Sequence, residues 1–451
     1  MMTKKMTEGS PARLIIVFTI PLLIGNIFQQ MYSMADTLIV GRTIGVNALA
    51  AVGSTGSISF LILGFAMGAT GGLAIITAQR FGAKDERGVR RSVAAGVWIS
   101  LIITAVPTAV SVPLTRQILE LMRTPAEIID DAYSYIVIIF AGIFASMLFN
   151  LLSNIIRALG DSRTPLLFLI VACILNIVLD YLFIRAFHMG VAGAAWATVI
   201  AQLISGLLCL IYIKMKLPIL HLTREDWRVS GWELAQHARV SLPMGFQMSI
   251  IAIGAVVLQF VLNGLGAVAV AAFTAAQKID QIASQPMNSF GTTMSTYAAQ
   301  NYGAGKIDRI GKGVFQCCLI SVGFSIIMGL INFFAGYRLT GLFVGEGASE
   351  VLKMAQIYLR INGAMYWALA LLFIFRYTIQ GLGRSVMPTV AGIMELLMRT
   401  FAAVFLAARM GFAGAAWASP LAWIGACIPL AIDYILTIRK LRRNYQLEKN
   451  L

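Results

Sequence analysis

Two aspartates stand in segments that otherwise avoid charge. Asp36 closes a run of Asn26, Gln29, Ser33 and Asp36, whose spacings of three, four and three put all four on one helix face. Asp180 follows Asn176 by four residues, again on one face. A charged group inside a bilayer is costly unless paired or hydrated, so such residues are functional candidates by default. At a rise of about 1.5 Å per residue, Asp180 lies roughly 8 Å below the boundary set by Arg185, Asn176 roughly 14 Å below it, and Thr198 roughly 12 Å into the next apolar segment. Asp36, 23 residues beyond Arg13, falls in the same outer half. The four therefore share one level of one half of the chain. The plainer alternative is that each caps a helix end or faces headgroups.

Further along, Gln277, Gln281, Ser284, Gln285, Asn288, Thr292 and Ser295 recur at helical spacing, with Lys278 beside them. Lipid cannot face such a stripe, so it is expected to line water or another polar surface. Gln29, Gln277, Lys278, Gln281, Gln285 and Asn288 are thus candidates for a substrate cavity. Glu395 and Arg399, four apart with the glutamate first, suit a structural ion pair along one helix.

The elements that must position these residues are set by composition. The chain has 451 residues, 59% hydrophobic and 12% charged, against about 25% charged in soluble domains. Apolar runs of about twenty residues recur throughout, each long enough to cross a bilayer as a helix. The alternating pattern of a membrane barrel is absent. Twelve spans are expected at about 14–38, 48–78, 93–113, 132–156, 164–184, 191–213, 240–262, 267–298, 314–335, 354–375, 385–408 and 413–437. The run from Leu14 is read as a span, not as a cleavable signal.

The net charge of +15 follows the positive-inside pattern. Arg80, Arg87, Arg90 and Arg91, then Lys214, Lys216 and Arg224, then Lys306 and Arg309, then Arg439, Lys440 and Arg442 crowd alternate gaps. This places both termini in the cytoplasm and argues against nucleic acid. The five cysteines lie inside spans without metal-ligand spacing, and the three histidines carry no assigned role. No phosphate-binding G-x-x-x-x-G-K-[ST] occurs, so the chain does not read as an ATP-driven pump.

An internal duplication organises the spans. MGVAGAAWAT at 189–198 returns as MGFAGAAWAS at 410–419, an offset of 221. Ala78-Gln79 with Phe81-Gly82-Ala83 returns as Ala299-Gln300 with Tyr302-Gly303-Ala304, also offset by 221, and Leu159-Gly160 with Pro165 returns as Leu382-Gly383 with Pro388, offset by 223. Matching order and nearly constant offset mark a repeat. Six spans per half is even, so the halves are parallel. The fold expected is an all-α polytopic membrane protein, twelve transmembrane helices in two parallel-related six-helix lobes. The lobes are 1–213 and 240–451, the second ending in a basic cytoplasmic tail, with 214–239 as a cytoplasmic linker. Gly64, Gly68, Gly72, Gly190 and Gly193 are read as close-packing positions.

Tandem six-helix lobes, MADTLIVGR at 34–42, AQRFGA at 78–83, LNIVLDYLFI at 175–184 and the repeated MG-x-AGAAWA together resemble a bacterial multidrug and toxic compound extrusion transporter along essentially the whole chain. The resemblance implies cation or proton binding in the N-terminal lobe at Asp36, Asn176, Asp180 and Thr198, with Tyr135 lining the same chamber. It implies no cofactor, and no metal beyond Na⁺. With an offset of 223, Asn176 and Asp180 correspond to Arg399 and Ala403, so a second acidic site in the C-terminal lobe is not expected.

The function expected is a secondary-active multidrug efflux antiporter, not an enzyme. It would export small amphipathic compounds in exchange for H⁺ or Na⁺ through an alternating-access cavity between the lobes. The chain would act as a monomer in the inner (plasma) membrane, with drug-like small molecules and the bilayer as its only partners. The alternative is a lipid-linked glycan flippase of the same superfamily, which would want a more basic cavity than Lys278 and Arg399 offer.

Overall fold

The computed structural model describes residues 5–342 and 349–449, and its described residues form helices and no strands. In chain order these are α1 (Pro11–Thr43), α2 (Val46–Gly82), α3 (Glu86–Leu121), α4 (Ile129–Ala141), α5 (Ile143–Ala158), α6 (Arg163–Tyr181), α7 (Gly190–Lys216), α8 (Gly231–Gly264), α9 (Ala267–Gly303), α10 (Ile307–Gly341), α11 (Ser349–Gly381), α12 (Val386–Phe401), the short α13 (Ala407–Met410) and α14 (Phe412–Ala416), and α15 (Ala418–Lys449). Ten continuous helical segments are long and apolar enough to cross a bilayer. The bent pair α4–α5, turning by 45° at Gly142, makes one more. The remaining long helix, α9, carries the polar stripe, which is why composition alone does not mark it. The protein is an all-α polytopic membrane protein.

Two compact units emerge. One comprises Met1–Lys5 and Ile20–Ser249, the other Met6–Thr19 and Ile250–Leu451. The 214–239 connection thus lies within the first unit, and the start of α1 belongs to the second. The first core gathers Phe140, Ile143, Ile155, Ile156 and Leu159 under α2 to α5. The second gathers Tyr366, Leu369, Leu372, Met287 and Trp423 around α11. Apolar side chains such as Ile102 and Phe334 point outward, as lipid-facing surfaces require.

The repeats mark helix ends. Gly190 and Gly411 open the two decapeptides at φ +58° and +59°, Gly160 and Gly383 sit at +86° and +79°, and Lys84 and Gly305 at +59° and +69°. Left-handed backbone is natural for glycine and uncommon for lysine. Each decapeptide also follows a π-helical turn, Leu182–Ala186 and Ala402–Leu406. A Cβ on Gly193 would stand 3.1 Å from Phe183 Cβ, and one on Gly414 would stand 2.2 Å from the Leu406 carbonyl oxygen. In α2, a Cβ on Gly68 or Gly72 would come within 2.5 Å of the backbone of Met244 or Ser241 in α8, while Gly64 is looser. Gly68, Gly72 and Gly193 thus permit close packing, whereas Gly190, with nothing within 4 Å of a Cβ, serves through its left-handed backbone instead.

Side chains secure the α2–α3 and α7–α8 connections of the first unit. Asp85 caps α3 by accepting from Gly88 N–H at 2.8 Å. Ser230 and Glu233 form a capping box at α8: Ser230 N–H donates to Glu233 Oε2 at 2.9 Å, and Glu233 N–H to Ser230 Oγ at 3.3 Å. His237 has a structural place, buried between Ser92 Oγ and the Glu233 carbonyl, both at 2.8 Å. Asp226 accepts from Thr223 N–H and Oγ1 at 2.9 and 2.8 Å and pairs with Arg90 at 3.2 Å. Burial works to raise this carboxyl, but the Thr223 and Arg90 donors outweigh it and hold it below its ordinary 3.8. A depressed carboxylate contributes stability at neutral pH and loses it as pH falls through its folded value. Asp226→Asn is therefore expected to cost about 1–3 kcal/mol near neutrality, read as a lower thermal midpoint of purified protein. The gap to wild type should close as the pH falls below 3.8, and a midpoint unchanged at neutrality would contradict this anchoring.

Candidate functional site

α1, α6 and α7 bring four of the predicted residues together in the first unit. Asp36 is 9% exposed, Asn176 1% and Asp180 0%. Thr198 is half-buried. The Asp36 and Asp180 carboxyl groups interact directly. Asn176 Nδ2 donates to Thr198 Oγ1 at 3.3 Å, and so does the Tyr32 hydroxyl at 3.2 Å. Asp180 sits just before the π-helical turn at Leu182, and Thr198 follows the helix start at Gly190. Tyr135 of α4 packs against the apolar cluster of Val40, Ala48, Ile184 and Val191, within reach of the charges of Asp36 and Asp180.

Hydrogen-bond accounting isolates what is unusual. Asp36 Oδ1, Asn176 Oδ1 and both carboxylate oxygens of Asp180 are buried without a donor among the described residues. The Tyr32 hydroxyl and one N–H of Asn176 are directed to Thr198 and not to these oxygens. Buried polar atoms are ordinarily satisfied, and two adjacent carboxylates cannot both ionise cheaply away from bulk water. A pocket of hard oxygen acceptors suits a proton or a small cation, so these residues fit an alkali ion such as Na⁺. The described residues hold no group of three His, Cys, Asp or Glu that would ligate a metal ion by those side chains alone.

A cavity of about 140 Å³ adjoins this cluster within the same unit, lined by Asn26, Gln29, Tyr32, Asn150, Arg157 and Gln202 among others. Tyr32 belongs to both cavity and cluster. It escaped the sequence reading because the stripe on α1 was traced through Ser33, which is exposed. The signal was present: Tyr32 lies four residues before Asp36, on the same face. Arg157, donating to Asn154 Oδ1 at 3.2 Å, was also missed, being a single charge at the end of a span.

The α9 residues lie in the second unit. Lys278 and Gln281 are exposed, while Gln277, Gln285 and Asn288 are half-buried. Asn288 Oδ1 accepts from the Tyr377 hydroxyl at 3.1 Å. Asp280, absent from the predicted set, accepts from the Tyr366 hydroxyl at 2.6 Å.

The expected Glu395–Arg399 pair is not formed. Glu395 instead pairs with Arg376 of the neighbouring α11, and both are buried. Helical spacing brings Arg399 near Glu395 in sequence, but a second guanidinium from across the helix interface takes the carboxylate. Arg399 reaches toward α8, where a Cβ on Gly254 would stand 3.1 Å from its Nη1. Its Nε is buried with no partner among the described residues.

A model of the MatE family matches residues 21–182 and 243–405. The probable multidrug resistance protein YpnP of Bacillus subtilis is 29% identical over 405 residues, covering 89% of this chain and 90% of that protein. The probable multidrug resistance protein YoeA of the same organism is 27% identical over 407 residues, covering 88% and 87%. Among solved structures, a MATE protein crystallised in complex with MaL6 is similar in fold at a TM-score of 0.90 and 22% identity, covering 97% of this chain and 99% of that one.

The corrected pairing generates its own test. Removing one member of a buried ion pair leaves an uncompensated charge and costs about 3–5 kcal/mol. Arg376→Met is expected to lower the thermal midpoint and yield of purified protein far more than Arg399→Met. The reverse order would return Glu395 to Arg399.

Proposed function

We propose, from the premise that the chain belongs to the MatE family, that it is a secondary-active antiporter which moves drug-like small molecules out of the cell as H⁺ or Na⁺ enters. The observation that carries this reading is the set of donorless oxygens of Asp36, Asn176 and Asp180 inside membrane-spanning helices. Its supports are the names of the relatives, probable multidrug resistance proteins, and the polar cavity that shares Tyr32 with the ion cluster. The cell's inner membrane is the site of action, with both termini cytoplasmic, and no cofactor is needed. Transport involves no covalent change in the cargo.

The coupling follows from the cluster's charge. With both carboxylates ionised, Asp36 and Asp180 repel, and α1 and α6 are held apart by that repulsion. Neutralising the pair by one proton or one monovalent cation removes it and lets α1, α6 and α7 close on Asp36, Asn176, Asp180 and Thr198. Tyr32, on the face of α1 toward Thr198, carries the rearrangement into the cavity wall. Substrate and ion then oppose one another by equal free energies. The driving force is adequate: a charge crossing 100 mV releases about 2.3 kcal/mol, enough to sustain roughly a 40-fold gradient of a neutral substrate. Arg399, whose Nε is buried without a partner among the described residues, and the exposed Lys278 argue against a substrate range restricted to cations.

Asp36→Asn and Asp180→Asn imitate the neutralised carboxyls. Each is expected to reduce gradient-driven efflux from proteoliposomes to background while membrane insertion is unchanged, because removing a charge does not hinder insertion. Imposing pH and Na⁺ gradients separately identifies the ion. Full coupled transport by the double variant, at equal incorporation, would sink the proposal.

A further inference from the structure

The second unit holds a membrane-embedded carboxyl group outside the cluster described above. Asp280 on α9 has no ion-pair partner among the described residues, Lys278 on the same helix being exposed. Its Oδ1 accepts from the Tyr366 hydroxyl at 2.6 Å, and Tyr366 Oη accepts in turn from Asn332 Nδ2 at 2.8 Å. Tyr366 and Asn332 are both fully buried, and Asn332 Oδ1 has no partner. The chain crosses α9, α10 and α11, and α10 and α11 are the helices packed against α9. Asp280 meets Tyr366 of α11 directly and lies near Tyr358 of the same helix, Asn332 of α10 joins through Tyr366, and the one other charged group near these tyrosines among the described residues is Arg399 of α12, beside Tyr358.

A hydrogen-bonded chain of this kind has a direction. As found, it runs amide to phenol to carboxylate, which suits an ionised Asp280. A proton on Asp280 makes the carboxyl a donor, so it gives its hydrogen to Tyr366 Oη, and the phenol must find another acceptor. The one at hand is Asn332 Oδ1, brought into line when the amide turns end for end. The oxygen left over in one direction is thus the oxygen required in the other. Asn332 Oδ1, buried without a partner among the described residues, is available for that role.

We propose that Asp280, Tyr366 and Asn332 form a proton-binding site in the second unit, separate from Asp36 and Asp180, in which the hydrogen-bond chain reverses as the proton arrives. It adds one proton to those the protein takes up. The site stands whether or not the cluster in the first unit binds the coupling ion.

Difference infrared spectroscopy of the purified full-length protein tests this without any transport measurement, so its outcome is separable from that of the efflux reading. Acidification should produce a protonated-carboxyl band that Asp280→Asn removes and that Asp36→Asn and Asp180→Asn leave in place. Asp280→Glu should retain a titrating band at a displaced frequency. Tyr366→Phe withdraws a donor from the ionised carboxylate and should raise the midpoint of that band by about one pH unit, a tenfold gain in proton affinity. If Asp280→Asn fails to fold, Asp280→Glu and Tyr366→Phe still decide the matter. Carboxyl bands identical in wild type and Asp280→Asn, or a midpoint indifferent to Tyr366→Phe, would overturn the proposal. So would loss of the band on adding NaCl at constant pH, which would give the site to a metal cation instead.

Discussion

Oxygen atoms buried without donors are the constraint around which the first unit is arranged. Four such atoms belong to Asp36, Asn176 and Asp180, inside helices that lipid surrounds. Burying acceptors or charges without partners is costly. In the function proposed above, a proton or a cation satisfies these carboxylate and amide oxygens. The surrounding backbone is the repeat's own scaffold, a π-helical turn just beyond Asp180 and a restart at left-handed Gly190, both recurring in the second unit, while Thr198, which accepts from Asn176 and Tyr32, is particular to the first.

The two units share a scaffold and differ in interior chemistry. Helix ends recur in register, with paired left-handed residues at 84 and 305, 160 and 383, and 190 and 411. An offset of 223 pairs Asn176 and Asp180 with Arg399 and Ala403, and the π-helical turns at Leu182–Ala186 and Ala402–Leu406, offset by 220, pair them with Leu396 and Thr400; on neither count does a carboxylate stand opposite Asp180. Backbone turns and close helix approaches depend on glycine and survive such replacement. The acidic interior depends on particular side chains and does not. In place of it the second unit carries the buried Arg376–Glu395 pair and the Asp280–Tyr366–Asn332 chain.

The fold was largely legible in the sequence because lipid demands long apolar helices and the duplication repeats its own punctuation. The first-unit cluster was legible because helical spacing places Asn176 over Asp180, and because depth along a span can be counted. Contacts between helices were not legible. Glu395 and Arg399 satisfy the spacing rule within α12, yet the partner comes from α11. Tyr32 was hidden by the choice of Ser33 for the same stripe. Asp280 was obscured by the run of glutamines around it, whose polarity drew attention to the face as a whole rather than to its one carboxyl group.

The central claim is that occupancy of the Asp36–Asp180 cluster opposes substrate binding. Equilibrium substrate affinity of the purified protein, titrated against pH and separately against Na⁺, measures this directly. Wild-type affinity should weaken as the coupling ion rises, while the Asp36→Asn/Asp180→Asn double variant should hold one weak affinity throughout. An ion dependence equal in the two proteins would contradict the account.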